Sequence, residues 1–142
     1  MDEGRERPPM TMTSDALRAR YLDDFITTAP PAKLLLMLYD RLVLDLTRAE
    51  QALAAGNRAE ASRQIVHAQE ILLELRSSLD TSAWSGAEAL ASLYGFLLTE
   101  LVAANVAGDA ARLATCRGLI EPIRDAWRES TATEANTGSA VA

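Results

Sequence analysis

Four long segments of the chain repeat apolar residues at alternating gaps of three and four, and this spacing constrains the fold most. The segments are Ala32–Ala55, Arg58–Asp80, Ala87–Ala107 and Asp109–Glu129. Gaps of three and four place side chains on one face of an α-helix. Helices with such stripes pack nearly parallel at a shallow crossing angle. The sequence therefore predicts an all-α fold.

The links between the segments are short, and they predict the topology. Gly56 and Asn57 stop one helix and turn the chain into the next, and Gly108 does the same further on. Asp109 stands where an N-cap residue would begin the last helix. Short links imply an antiparallel up-down four-helix bundle. A shorter apolar segment, Asp15–Ile26, predicts an extra short N-terminal helical segment.

The composition agrees with a helical domain. Ala and Leu, which are strong helix formers, supply 26 and 21 of the 142 residues, and only 5% are aromatic. The length suits one domain without disulfide staples, and there is one cysteine. Both ends are polar and lack periodicity. We therefore predict a disordered N-terminal arm (1–14), a helical-bundle domain (15–129) and a disordered C-terminal tail (130–142).

Charge and hydropathy disfavour several classes of function. The net charge is −6 and no basic run is present, so we expect no nucleic-acid binding. No stretch of 18 or more uncharged apolar residues occurs, so we expect no membrane insertion. The polar N-terminus lacks the apolar core of a signal peptide, so we expect a cytoplasmic protein.

The sequence offers little chemistry for catalysis. His67 is the single histidine, whereas a metal site needs three or four convergent ligands. Cys116 falls on an apolar stripe, where cysteine usually acts as a small hydrophobe. We expect no enzyme activity, no catalytic residue, no metal and no cofactor. A helical-bundle metal carrier or enzyme that depends on His67 is kept as an alternative.

The informative anomaly is an excess of apolar residues off the main stripes. The six residues from Leu34 to Tyr39 are all apolar and go most of the way round a helix, so they cannot all face one core. Large exposed apolar patches mark partner sites, and a groove between helices suits a peptide. The candidate groove residues are Leu36, Met37, Tyr39, Val43, Leu44, Val66, Leu73 and Val102. The third segment adds Leu93, Phe96 and Leu98 off its stripe.

The opening of the first helix carries a recognisable motif. It reads Thr27-Thr28-Ala29-Pro30-Pro31-Ala32-Lys33-Leu34-Leu35-Leu36-Met37-Leu38-Tyr39-Asp40 and resembles the signature of the FliS family of flagellin-specific export chaperones. The similarity continues in family order over roughly 20–129, through Ala68-Gln69, Ile71, Leu75, Ser78-Leu79-Asp80, Leu93-Tyr94, Leu101, Ala104-Asn105 and Ala126-Trp127. Pro30 replaces the usual serine and Arg41 replaces a frequent glycine, and neither change affects the apolar rows.

The resemblance implies an antiparallel bundle that binds the C-terminal segment of flagellin in the cytoplasm. Members of the family prevent premature filament formation and help deliver flagellin to the flagellar type III export gate. Their own N-terminal segment can cover part of the groove when no client is bound. By that logic Tyr21, Leu22, Phe25 and Ile26 are candidates for an N-terminal lid, or alternatively for a permanent bundle cap.

Two further alternatives stay open at this stage. Tyr39 has a second interpretation as a core aromatic whose hydroxyl is hydrogen-bonded within the bundle. The surplus apolar rows have a second interpretation as the interface of a structural homo-oligomer, such as a homodimer, without a flagellin client.

Overall fold

The computed structural model describes residues 15–17 and 31–141, and these residues are helical or form short links. The four long helices are α1 (Pro31–Ala54), α2 (Arg58–Ser77), α3 (Ala87–Ala107) and α4 (Ala110–Val141). Residues 15–17 are also helical. The chain divides into two compact units, Met1–Leu34 and Leu35–Ala142, and the bundle described below belongs to the second. The predicted all-helical fold is confirmed.

Polar contacts between side chains fix the order of the helices around the bundle. Neighbouring helices are joined in turn as α1 to α2, α2 to α3, α3 to α4 and α4 to α1. The pairs are Asp45–His67, Ser62–Asn105 at 3.2 Å, Glu100–Arg112 at 3.0 Å, and both Glu50–Arg117 at 2.6 Å and Asp40–Arg128 at 3.0 Å. The ring closes with every helix antiparallel to the next, as the short links predict.

The helix boundaries follow the local sequence signals. The Asn57 side chain accepts a hydrogen bond from the backbone N–H of Glu60 at 3.1 Å and so caps α2. Asp109 accepts from the backbone N–H of Ala111 at 3.0 Å and caps α4. Gly108 ends α3 in the left-handed conformation, with φ of 64°, which favours glycine. The predicted turn chemistry is confirmed at these links.

All four helices contribute to one core, and a polar junction lies inside it. Tyr39 of α1 is fully buried, its hydroxyl hydrogen-bonds to the hydroxyl of Tyr94 on α3, and the Trp127 side chain of α4 packs against the same core. Burial raises the pKa of Tyr39, and burial together with the bond to Tyr39 raises that of Tyr94. Both hydroxyls therefore stay neutral at physiological pH. We call these three residues the Tyr39 junction.

A buried carboxylate joins α1 to α2. Asp45 is fully buried, and one of its oxygens accepts from Nε of Arg41 at 3.0 Å. The other oxygen accepts from Nδ1 of His67, whose ring reaches the surface. Because a buried carboxylate without partners is costly, His67 has a structural role in holding Asp45.

The last helix is longer than the sequence predicts. We placed its end at Glu129, whereas it continues to Val141. The Thr131 and Thr133 hydroxyls each bond to the carbonyl one turn earlier, at 2.7 and 3.0 Å. Threonine, alanine and glutamate are tolerated in a helix, so a polar sequence without apolar periodicity is not by itself a stop signal.

Helix α3 is apolar beyond the needs of the core. Among the described helices it is long and apolar enough to cross a membrane by length and composition, although it carries Glu88 and Glu100. Only 22% of its most apolar window is buried. Its buried side includes Tyr94, Leu97 and Leu101, which pack in the bundle core. The outward side of α3 is therefore an apolar surface of a bundle helix.

The Tyr39 junction predicts a loss of stability when either of its hydroxyls is removed alone. Tyr39→Phe leaves the buried hydroxyl of Tyr94 without its partner and should lower the free energy of unfolding by about 1–3 kcal/mol. Tyr94→Phe does the same to the hydroxyl of Tyr39, whereas the double variant Tyr39→Phe/Tyr94→Phe leaves neither hydroxyl unpaired and should recover most of that loss. Urea unfolding followed by circular dichroism measures all three variants, and single variants as stable as the wild type would contradict the junction.

The Asp45–His67 pair predicts that substitution of His67 alone lowers the stability of the fold and that a second substitution, at Asp45, restores it. His67→Leu leaves one buried oxygen of Asp45 without its partner and should lower the free energy of unfolding by about 1–3 kcal/mol. The double variant Asp45→Leu/His67→Leu removes the buried charge and should recover most of that loss. The comparison is again made by urea unfolding, and a double variant less stable than His67→Leu would argue against this role.

Candidate functional site

The structure distributes the eight predicted groove residues over three environments. Val66, Leu73 and Val102 lie exposed on α2 and α3. Met37 and Leu44 lie exposed on α1, and Leu36 is half-buried there. The remaining two, Tyr39 and Val43, are buried. The predicted residues therefore do not form one continuous groove.

Tyr39 and Val43 belong to the core, and their placement on the client-facing surface is wrong in this structure. Their exposed fractions are 0% and 7%. The predicted stripe runs from Leu35 through Leu38 to Leu42, but Tyr39 stands equally well at a helical gap between Leu35 and Leu42. The bundle buries Tyr39 fully and Leu38 only in part. The alternative interpretation of Tyr39 as a hydrogen-bonded core aromatic is confirmed.

Val66 and Val102 lie side by side across the seam between α2 and α3. The register is given by Ser62, whose hydroxyl accepts from the Asn105 amide at 3.2 Å. Val66 lies one turn beyond Ser62 on α2, and Val102 lies about one turn before Asn105 on α3. Since the two helices are antiparallel, these steps lead in the same direction.

The same seam continues by seven residues on each helix. Leu73 follows Val66 by seven residues on α2, and Gly95 precedes Val102 by seven on α3. The Arg76 guanidinium reaches this level, because a Cβ built on Gly95 would lie 4.0 Å from its Nη1. Gly95 adds no side chain to the seam, which keeps it shallow at this level.

We call this seam the α2–α3 surface and define it by its exposed apolar residues. They are Val66, Leu73, Val102 and Val106, with exposed fractions from 44% to 78%. Over the two turns between Val66 and Leu73, valine and leucine on one helix face valine and glycine on the other. Such a seam can bind an apolar face of another chain through area burial.

Met37 and Leu44 stand apart from the α2–α3 surface. On α1, Asp45 faces α2 and Asp40 faces α4, and the two apolar residues lie on the outward side between them. The polar outer face of α2, with Arg63 and Glu70, separates them from Val66. They are an isolated pair on an otherwise charged helix face.

Further apolar residues are exposed beyond the eight predicted groove residues. Val106 extends the α2–α3 surface toward the end of α3, and Phe96 and Leu119 lie exposed near the seam between α3 and α4. Phe96 was already evident as an off-stripe residue. Val106 could have been found from the sequence because α3 is apolar on every side, a feature that a search for a single stripe of apolar residues misses. Trp84, in the link before α3, is also exposed.

The cations around the bundle are mostly paired, and Arg76 is an exception. Arg112, Arg117 and Arg128 each bond to a carboxylate of another helix. Arg58 donates to the carbonyls of Asn105 and Val106 at 3.2 and 3.3 Å. Within the described part of the chain, no carboxylate lies within 4.0 Å of the Arg76 guanidinium.

The described residues provide no arrangement for nucleophilic or metal chemistry. Burial raises the pKa of Cys116 to about 11, so its thiol is protonated at neutral pH. No group of three or more potential metal ligands is found among residues 15–17 and 31–141. A shallow depression at the α1–α2 turn, lined in part by Arg48, Gln51 and Glu60, holds none of the predicted groove residues. Tyr21, Leu22, Phe25 and Ile26, the predicted lid, lie outside the described residues.

Comparison with known proteins agrees with the fold and the motif. The model of the FliS family, described as flagellar protein FliS, matches residues 13–134. The chain belongs to the FliS family. The match includes α1, α2, α3 and most of α4, and with them the α2–α3 surface.

One curated relative and one solved structure are similar to this FliS-family chain. It is 29% identical to the flagellar secretion chaperone FliS of Bacillus subtilis (strain 168) over 114 residues, which cover 80% of this chain and 85% of the relative. A crystal structure described as a flagellar chaperone from bacteria superposes with a TM-score of 0.68 at 16% identity, over 85% of this chain and 99% of the other. At that identity the crystal structure supports the fold alone.

The division between surface and core predicts different responses to a charge. Val66→Asp and Val102→Asp place a carboxylate in water and should change the free energy of unfolding by no more than about 0.5 kcal/mol. Val43→Asp places the same group in the core and should cost about 3 kcal/mol or more. Urea unfolding of the three variants measures this, and a large loss for Val66→Asp or Val102→Asp would place that residue in the core.

Proposed function

We propose that this chain is a cytoplasmic export chaperone that binds the C-terminal segment of flagellin on the α2–α3 surface. It keeps that segment from starting filament assembly and delivers flagellin to the flagellar type III export apparatus. Membership of the FliS family and a relative named a flagellar secretion chaperone support this proposal.

The observation that carries the proposal is the apolar surface that the bundle leaves open. Every buried side-chain nitrogen and oxygen in the described residues has a hydrogen-bond partner, and the core is closed around the Tyr39 junction. Val66, Leu73 and Val102 nevertheless remain about half exposed on adjoining helices. Residues of this kind contribute little to the stability of the bundle and suit a partner that brings its own apolar face.

A C-terminal flagellin segment is a suitable client on physical grounds. In the family, this segment is disordered in the free subunit and helical in the filament. Coupled folding on a chaperone costs ordering entropy, and the burial of apolar area on α2 and α3 offsets that cost. The same apolar residues of flagellin are then unavailable to other subunits.

The first experiment is capture of flagellin from the same bacterium. The chain is co-expressed with full-length flagellin and, separately, with flagellin that lacks its C-terminal segment, and both are analysed by pull-down. We expect capture of the full-length protein only. Equal capture of both would overturn the proposed segment, and a stable dimer whose mass is unaffected by a C-terminal flagellin peptide would favour the homo-oligomer.

A second experiment blocks the surface without opening the core. Gly95→Leu places a side chain in the seam between Leu73 and Val102 and should weaken peptide binding about tenfold or more. The fold should persist, because leucine is a better helix former than glycine and a Cβ at this position meets only the flexible end of Arg76. Fluorescence anisotropy of a labelled flagellin peptide measures the affinity.

Gly118→Leu is the matched control for this substitution. Gly118 lies on an exposed side of α4, and a Cβ built there has no neighbour within 4 Å. We expect wild-type affinity for Gly118→Leu. Wild-type affinity for Gly95→Leu as well would move the binding site away from the α2–α3 surface.

A further inference from the structure

We propose that Arg76 binds the C-terminal carboxylate of the client and thereby sets the direction of the bound helix, which runs parallel to α2. This inference rests on the proposed function, since it concerns how a C-terminal segment lies on the α2–α3 surface. It assigns to Arg76 a role in orienting the client, distinct from the apolar contacts that provide most of the affinity.

The two ends of the α2–α3 surface differ in their cations. At the Val106 end, Arg58 is occupied, because its guanidinium donates to the carbonyls of Asn105 and Val106. It also lies against Gly108, where a Cβ would come within 2.7 Å of it. At the other end, Arg76 is exposed and has no carboxylate within ion-pair distance among the described residues. Only the Arg76 end offers a cation to a ligand.

The acidic residues near the surface leave that cation available. Glu100 faces α4 and pairs with Arg112, and Glu74 lies on the α2 side turned away from α3. Glu88 lies on the α3 side that flanks α2, about one turn beyond the level of Arg76. Since no carboxylate among the described residues lies in the seam from Ser62 to Gly95, a carboxylate of the client has one complementary position, at Arg76.

The length of the seam suits a helix. From Ser62 to Arg76 the surface rises by about 21 Å, which corresponds to roughly four helical turns. The C-terminal end of a helix carries partial negative charge on its free carbonyls, and the terminal carboxylate adds a full charge. Both favour the Arg76 end for the C-terminus of the client. The opposite direction would place a helix N-terminus, with partial positive charge, beside the guanidinium.

A double-mutant cycle tests the contact. Two flagellin C-terminal peptides, one with a free carboxylate and one amidated, are titrated against wild type and Arg76→Gln at low ionic strength. An exposed charge pair predicts a two- to fivefold weaker Kd for either single change and little further loss when both are combined. Arg63→Gln is the control, because Arg63 pairs with Glu60 on the polar face of α2, and it should bind like wild type.

The direction is tested independently with spin labels. Ala59→Cys and Ser77→Cys place exposed cysteines on one side of α2 near opposite ends of the surface, about 27 Å apart. Cys116 is buried and protonated, so it does not compete for the label. NMR signals from the last turn of an isotope-labelled peptide should broaden with the label at residue 77 and not with the label at residue 59.

The outcomes separate this inference from the proposed function. Absence of peptide binding to the wild-type chain would overturn both. Three results would overturn the assignment of Arg76 and leave the proposed client in place. The first is a Kd that does not change with Arg76→Gln or with amidation, and the second is a pair of losses of affinity that multiply when the two changes are combined. The third is broadening of the last-turn signals by the label at residue 59.

Discussion

The hydroxyl of Tyr39 is the contact on which the arrangement of the helices depends. It joins α1 to α3 inside the core through the hydroxyl of Tyr94. With Asp45 tying α1 to α2 and Glu50 pairing with Arg117 of α4, the first helix is fixed against all three others by directional bonds. A bundle built from leucine stripes alone tolerates sliding and rotation of its helices. The buried polar bonds select one arrangement, and that arrangement determines which apolar residues remain outside.

Helix α3 shows how the same bundle can be both stable and open to a partner. Its core side carries Tyr94, Leu97 and Leu101, which any four-helix bundle could use. Its flank toward α2 carries Val102 and Val106, which the bundle does not use. Because the flanks lie next to neighbouring helices, an apolar flank forms a seam with the adjacent helix and not an isolated patch. The exposed apolar seam is therefore a direct consequence of helix order.

Much of this could be predicted from sequence, and the failures have physical causes. Helix existence, the Asn57 and Asp109 caps and the glycine at 108 follow from local chemistry. Tyr39 and Leu38 fit the stripe equally well, and only packing against Tyr94 and Trp127 decides between them. Val66, Leu73 and Val102 were predicted as surplus residues, but their adjacency depends on the register of α2 against α3, which periodicity does not contain. Arg76 has no local signal in the sequence, since its significance depends on no carboxylate of the described residues lying within ion-pair distance of it.

Gly95 bears on how the sequence of such a protein can evolve. A glycine within a helix costs about 1 kcal/mol relative to alanine, and nothing in the bundle requires this one, because a Cβ there would make only an ordinary contact. Selection for thermal robustness alone would replace it and progressively fill the seam. If the seam accepts a client as proposed, selection for binding holds the chain below its attainable stability, and the trade-off between stability and activity lies at this one position.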